Sequence, residues 1–122
     1  MDVEIAVLVV DEETDMLDLT ETFLERESDR ISVTTEQDPA DAIERAETFD
    51  CIVSDLRMPK IDGVELAERI HEQDPDRPVF LFTAADGDDI RSDGADLAGV
   101  VRKGTGTEHY TELAEQIEAA VE

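Results

Sequence analysis

With 122 residues, 40% of them hydrophobic, the chain has the length and apolar content of one domain with a core of its own. Its 34 acidic and 10 basic residues give a formal charge of −24. That balance argues against direct binding of nucleic acid or an anionic membrane, because holding phosphates needs clustered Lys and Arg.

The acids are spread along the chain, and lysine occurs only as Lys60 and Lys103. This pattern is the one expected of a halophilic source. In molar salt the Debye length shrinks to about 3 Å, so repulsion among surface carboxylates is largely screened. The single cysteine, Cys51, excludes an internal disulfide and sits in an apolar run, which points to core packing. No apolar run approaches the ~18 residues of a membrane span, and no signal-peptide layout is visible, so a cytoplasmic protein is expected.

Read in chain order, short apolar runs alternate with amphipathic segments. The run Ile5 to Val10 is nearly all hydrophobic, as in a parallel strand covered on both faces. A first helix follows, with Met16, Leu17, Leu19, Phe23 and Leu24 recurring at helical spacings. Ile31, Val33 and Thr35 alternate as in an edge strand. Asp38-Pro39 is a cap with proline at the first helical position, opening a second helix that turns Ala42, Ile43 and Ala46 inward.

The run Cys51 to Ser54 is a buried strand. Asp62 and Glu65 then have the spacing of a capping box, opening a third helix that buries Leu66, Ala67 and Ile70. Val79 to Thr83 is another apolar strand. The stretch "ADGDDIRSDGADL" from 85 to 97 holds two glycines and five aspartates, so propensity allows only a short, poorly held fourth helix. Gly99 to Arg102 is the last strand, and a fifth helix after Thr107 buries Tyr110, Leu113, Ala114, Ile117 and Val121. Strict alternation of this kind predicts one α/β domain over 1–122, a doubly wound parallel sheet with right-handed crossovers.

Four of the five strands hand over to a polar group at the carboxyl end: Asp11 and Glu12, Asp55, Thr83, and Lys103. In open α/β sheets ligands bind outside those ends, near the point where strand order reverses. Three carboxylates converging there would repel one another by several kcal/mol per pair, on the order of 4 kcal/mol at 4 Å and an effective dielectric of about 20. Either one of them holds a proton or a hard cation sits among the oxygens. A donor set without His or Cys selects Mg²⁺, with Mn²⁺ possible, over Zn²⁺. A metal beside Asp55, with Lys103 and Thr83 across from it, suits phosphoryl transfer: the three could contact the equatorial oxygens while Asp55 attacks in line.

The segments "VLVVDEE" at 7 to 13, "IVSDLRMPKIDG" at 52 to 63, "LFTA" at 81 to 84 and "VVRKG" at 100 to 104 resemble the CheY-like receiver domain of two-component response regulators. Four motifs in order, over nearly the whole chain, make the match specific. The resemblance implies a flavodoxin-like five-stranded sheet, order 2-1-3-4-5, with five helices. It implies that Asp55 accepts a phosphoryl group from a histidine kinase or phosphotransfer protein, and that Asp11, Glu12, Asp55 and the Arg57 backbone carbonyl hold Mg²⁺. Thr83 would be the switch hydroxyl, Lys103 the cation paired with the phosphoryl group, and Arg57 the position that tunes phosphoryl lifetime. The protein would be a signalling phosphoacceptor and not a conventional enzyme. Its output would go to a downstream protein target reading the fourth helix, fifth strand and fifth helix, or to covalently linked sensor or kinase modules. The tail "KGTGTEHYTELAEQIEAAVE" resembles receivers that precede such modules in halophilic archaeal hybrids.

Three positions depart from the family pattern. Glu12 replaces the second aspartate of an Asp-Asp pair, Gly104 replaces the proline after the lysine, and Val100 stands where the family carries a rotating aromatic. Glu12 and Val100 leave room for a pseudo-receiver that binds partners without phosphate chemistry. A phosphatase of the haloacid dehalogenase type would instead need an aspartate where Arg57 stands. His71 and His109 fall on polar helix positions and are expected to be exposed, and the Pro59-Lys60 turn is read as scaffolding. The halophile reading predicts that thermal stability rises from low to molar KCl; a melting temperature that stays flat or falls across a KCl series, followed by circular dichroism, contradicts it.

Overall fold

Through the first four strands, strand and helix alternate as the apolar pattern requires. A computed structural model describes residues 4–84, 97–104 and 107–121. The order is β1 (Ile5–Val10), α1 (Thr14–Glu27), β2 (Ile31–Glu36), α2 (Pro39–Arg45) running into a 3₁₀ turn (Ala46–Thr48), β3 (Cys51–Ser54), α3 (Gly63–Gln73), β4 (Val79–Thr83), β5 (Gly99–Arg102) and α4 (Glu108–Val121). Four α-helices lie among the described residues where five were expected. The stretch 85–96, on which the expected fourth helix falls, lies outside them, and the expected fifth helix is α4.

All five strands pair in parallel in the order β2-β1-β3-β4-β5. Side chains alternate across such a sheet, so each central strand feeds two cores. Val7, Val9, Val53, Phe80 and Phe82 point to one face, where they meet Leu17 and Leu24 of α1 and Tyr110, Leu113 and Ile117 of α4. Leu8, Val10, Ile52 and Val79 point to the other, against Ala42 of α2 and Leu66, Ala67 and Ile70 of α3. Cys51 belongs to the first core and is fully buried. Burial pushes its thiol up to about 12, with the Asp50 carboxylate adding to the shift and Arg77 opposing it. It is a packing residue held as a neutral thiol.

Helix ends follow the expected chemistry with one change. The Asp38 carboxylate accepts from the Ala40 N–H ahead of Pro39, and the Asp62 carboxylate accepts from the Glu65 N–H. Glu65 does not complete the expected box with its side chain. Its carboxylate takes Arg69 Nη2 at 2.8 Å and Nε at 3.1 Å one turn on, which suits the i,i+4 geometry of an exposed helix face.

On α1 the buried stripe runs through Leu17, Thr20 and Leu24, and Leu19, expected inside, is 47% exposed. Five apolar residues crowd this helix, more than one stripe can hold, and the stripe that faces the sheet takes Thr20 in place of Leu19. Thr20 hydrogen-bonds Tyr110. His71 and His109, expected in solvent, are half-buried instead. His71 Nε2 meets the Arg77 carbonyl at 2.9 Å, and the His109 ring packs on Phe82 and Tyr110.

Gly63 lets α3 approach the end of β3. Its N–H donates to the Leu56 carbonyl at 2.8 Å, and a Cβ there would stand 2.6 Å from the Asp55 carbonyl oxygen and 2.6 Å from Leu81 Cδ2. Gly63→Ala is therefore expected to lower stability by about 1–3 kcal/mol, since neither backbone nor a packed leucine yields freely. Urea unfolding checks this: the midpoint falls with an unchanged slope. A midpoint equal to that of the parent would refute the close approach.

Candidate functional site

The register of the central strands brings the carboxylates together. Val10 lies opposite Ser54, so the next residues, Asp11 and Asp55, leave adjacent strands side by side. Backbone bonds fix both: Asp55 N–H donates to the Val10 carbonyl at 3.1 Å, and Asp11 N–H to the Glu36 carbonyl at 3.2 Å. This is where the strand order reverses, since the chain leaves β1 for β2 on one side and reaches β3 on the other. Across the cleft, Lys103 N–H donates to the Thr83 carbonyl at 2.8 Å, which ties the ends of β4 and β5 together.

Lys103 Nζ lies 3.4 Å from Asp11 Oδ2 and 3.9 Å from Asp55 Oδ1, with the lysine side chain 13% exposed. Its ammonium also sits over the Phe82 ring, 5.3 Å from the centroid. The contact of Lys103 with Asp11 spans 92 positions of the sequence. Local N–H groups aim the carboxylates: Glu13 N–H donates to Asp11 Oδ1 at 3.0 Å, and Leu56 N–H to Asp55 Oδ1 at 2.8 Å. Beneath them the buried Ser54 hydroxyl donates to the Asp55 carbonyl at 2.8 Å, which steadies the turn out of β3.

Asp11, Glu12, Glu13, Met16, Asp55, Arg57, Thr83, Ala84 and Lys103 line one cleft of about 290 Å³. Every side chain expected at the site on sequence grounds except Val100 borders it. Asp11 and Thr83 are buried, Asp55 is partly buried, and Glu12 and Arg57 are exposed at the rim. Val100 lies away from the cleft on β5, 42% exposed. Glu13 and Met16 border the cleft without having been singled out. Glu13 closes the β1 motif and Met16 lies in the first turn of α1 just beyond it, so the turn into that helix carries them there. Phe82 was also missed, because a strand aromatic before a threonine gives no sign that a lysine will rest on it.

Four carboxylates and two cations line the cleft, a formal balance of −2. That balance and the all-oxygen donor set fit a divalent hard cation. No group of three His, Cys, Asp or Glu side chains among the described residues forms a ready-made metal cage. Mg²⁺ does not need one, because it keeps several waters and takes one or two carboxylates. Asp11 and Asp55, both turned toward Lys103, are such a pair.

Comparison with known proteins gives the family of the fold. The model of the response regulator receiver domain family matches residues 7–115. The alkaline phosphatase synthesis transcriptional regulatory protein PhoP of Bacillus subtilis is 37% identical over 82 residues, covering 66% of this chain and 33% of that protein. The chain therefore spans about a third of the length of that relative. Among solved structures, the response regulator TrrA of Thermotoga maritima in complex with Mg²⁺-BeF is 27% identical with a TM-score of 0.78, covering 94% of this chain and 97% of that one. The complex of histidine kinase ThkA with TrrA gives 26% identity and a TM-score of 0.79, covering 96% and 98%. With a family model over most of its length and that family's fold in its sheet order, the chain belongs to the response regulator receiver domains of two-component systems.

Proposed function

We propose that Asp55 is the phosphoacceptor of this receiver and that Asp11, Glu12, Asp55 and the Arg57 backbone carbonyl hold Mg²⁺ beside it, with Mn²⁺ as a substitute. The observation that carries this reading is the placement of Lys103 Nζ within 3.4 Å of Asp11 and 3.9 Å of Asp55. Bound Mg²⁺ would neutralise charge on the phosphoryl oxygens. An Asp55 carboxylate oxygen attacks phosphorus in line, a new O–P bond forms, and the bond to the donor breaks with its electron pair leaving on the donor atom. Lys103, released from Asp11, pairs with one phosphoryl oxygen. Thr83, buried at the end of β4, offers its hydroxyl to another. Arg57 at the rim tunes how long the acyl phosphate lasts before water reaches it.

The donor is a histidine kinase or a phosphotransfer protein, by analogy with the kinase in the ThkA–TrrA complex. The product switches docking of a downstream protein target or of sensor and kinase modules on the same chain. We place the domain at 1–122, in the cytoplasm of a halophilic archaeon, where its acidic surface suits molar salt. No helix among the described residues is long and apolar enough to cross a membrane. Chemistry is limited to acceptance and loss of the phosphoryl group, without turnover of other substrates. A second reading, a phosphate-independent docking module, draws on Val100, which has no ring to rotate.

Incubation with Mg²⁺ and acetyl phosphate or phosphoramidate in high salt tests the first reading by intact mass. A single phosphoryl adduct is expected on the wild type. It should be absent from Asp55→Asn, and its formation in Lys103→Met should be slower by about a hundredfold, as for loss of one charge-stabilising donor. A wild type without adduct at any salt favours the docking module, and repeated turnover of phosphate monoesters favours a phosphatase.

A further inference from the structure

Gly104 and His109 form a contact that a proline at position 104 would forbid. The Gly104 N–H, in the peptide directly after Lys103, donates to His109 Nδ1 at 3.4 Å. The His109 ring lies 5.5 Å from Phe82 and 4.3 Å from Tyr110, centroid to centroid, and Tyr110 in turn stacks on Phe23 of α1 at 4.9 Å. Phe82 is the ring on which the Lys103 ammonium rests. His109 thus touches both supports of Lys103: the backbone that follows it and the aromatic surface beneath its tip.

From this geometry we infer that His109 is a positioning residue for Lys103, acting in its neutral form through Nδ1 on the Gly104 N–H and through its ring on Phe82. The inference rests on the reading of Lys103 as the cation that pairs with the phosphoryl group.

Nδ1 can accept a hydrogen bond only when the ring is neutral and its proton is on Nε2. Protonation turns the acceptor into a donor facing another donor and adds a positive charge close to the Lys103 ammonium. Among the described residues, the charged groups around His109 are Arg102 at the end of β5, Lys103 just beyond it, and Glu108 and Glu112 of α4, whereas β4 supplies the uncharged Phe82. Burial holds the imidazole below its ordinary range, Lys103 lowers it further, and Glu108 opposes them. A base held below its free value is neutral at ordinary pH and takes its proton only on acidification. Lys103 is then released from one of its supports, and transfer to Asp55 slows.

The test follows the rate of Asp55 adduct formation from acetyl phosphate at saturating Mg²⁺ between about pH 5 and pH 8, across the imidazole range. Each variant is read against wild type at the same pH, which removes the donor's own titration. His109→Phe keeps a ring against Phe82 and loses the acceptor. It should react about fivefold more slowly at high pH, within the range of one neutral hydrogen bond, and converge on wild type at low pH. Gly104→Pro, without the N–H, should also be slow at high pH. Gly104→Ala keeps the N–H and has open space for its Cβ, so it should follow the wild-type profile. Identical profiles for wild type, His109→Phe and Gly104→Pro overturn the inference and leave the phosphoacceptor reading intact, whereas absence of any adduct on wild type overturns both. In wild type alone, the Gly104 amide resonance should titrate with the His109 ring, and a Gly104 amide that stays still while His109 titrates also overturns the inference.

Discussion

Two like charges are forced together at the end of this sheet, and the molecule is arranged around what offsets them. Pairing of β1 with β3 at Val10 and Ser54 leaves Asp11 and Asp55 no choice but adjacency, and Lys103 reaches in from the end of β5 to meet both. The gross Coulomb attraction of one such pair is about 4 kcal/mol at 4 Å and an effective dielectric of 20, before the ammonium's desolvation is subtracted. One lysine does not neutralise the cleft, whose formal balance stays at −2. This residual charge suits a divalent cation, which the proposed transfer of a phosphoryl group into so acidic a cleft would call for.

The sheet supplies the rigidity that such a site requires. Each central strand is buried on both faces, with one core under α1 and α4 and the other under α2 and α3, so the strand ends cannot drift apart without opening a core. Ser54 and Gly63 extend that rigidity to the loop: one ties the Asp55 carbonyl down, and the other lets α3 close against it. The chemistry sits on turns, but backbone hydrogen bonds from the strands fix where those turns begin. Lys103 is held by different means, through a strand-end hydrogen bond to Thr83 and an aromatic platform at Phe82, which suits the change of partner proposed for its side chain.

Much of this was legible in the chain itself. Period-two and continuous apolar runs marked each strand among the described residues, and the polar residue after Val10, Ser54, Phe82 or Arg102 marked the site end of the sheet, because parallel strands all point their carboxyl ends the same way. Long-range register was not legible. No local pattern says that Lys103 reaches Asp11 or that its tip rests on Phe82. The face of α1 was misjudged at Leu19 because its apolar residues exceed one stripe, and only packing against the sheet and α4 selects Leu17, Thr20 and Leu24. His109 was read as a surface residue for a similar reason: its neighbours in space, Phe82 and Gly104, lie on other elements.

On this reading Asp11 and Asp55, drawn together on Lys103, form one cation site. Calorimetric titration of Mg²⁺ into the wild-type chain, Asp11→Asn and Asp55→Asn at constant KCl tests it most directly. Binding of one Mg²⁺ per chain is expected for the wild type, weakened at least tenfold in each variant, a loss of about 1.4 kcal/mol or more. Unchanged affinity in either variant would contradict the shared site.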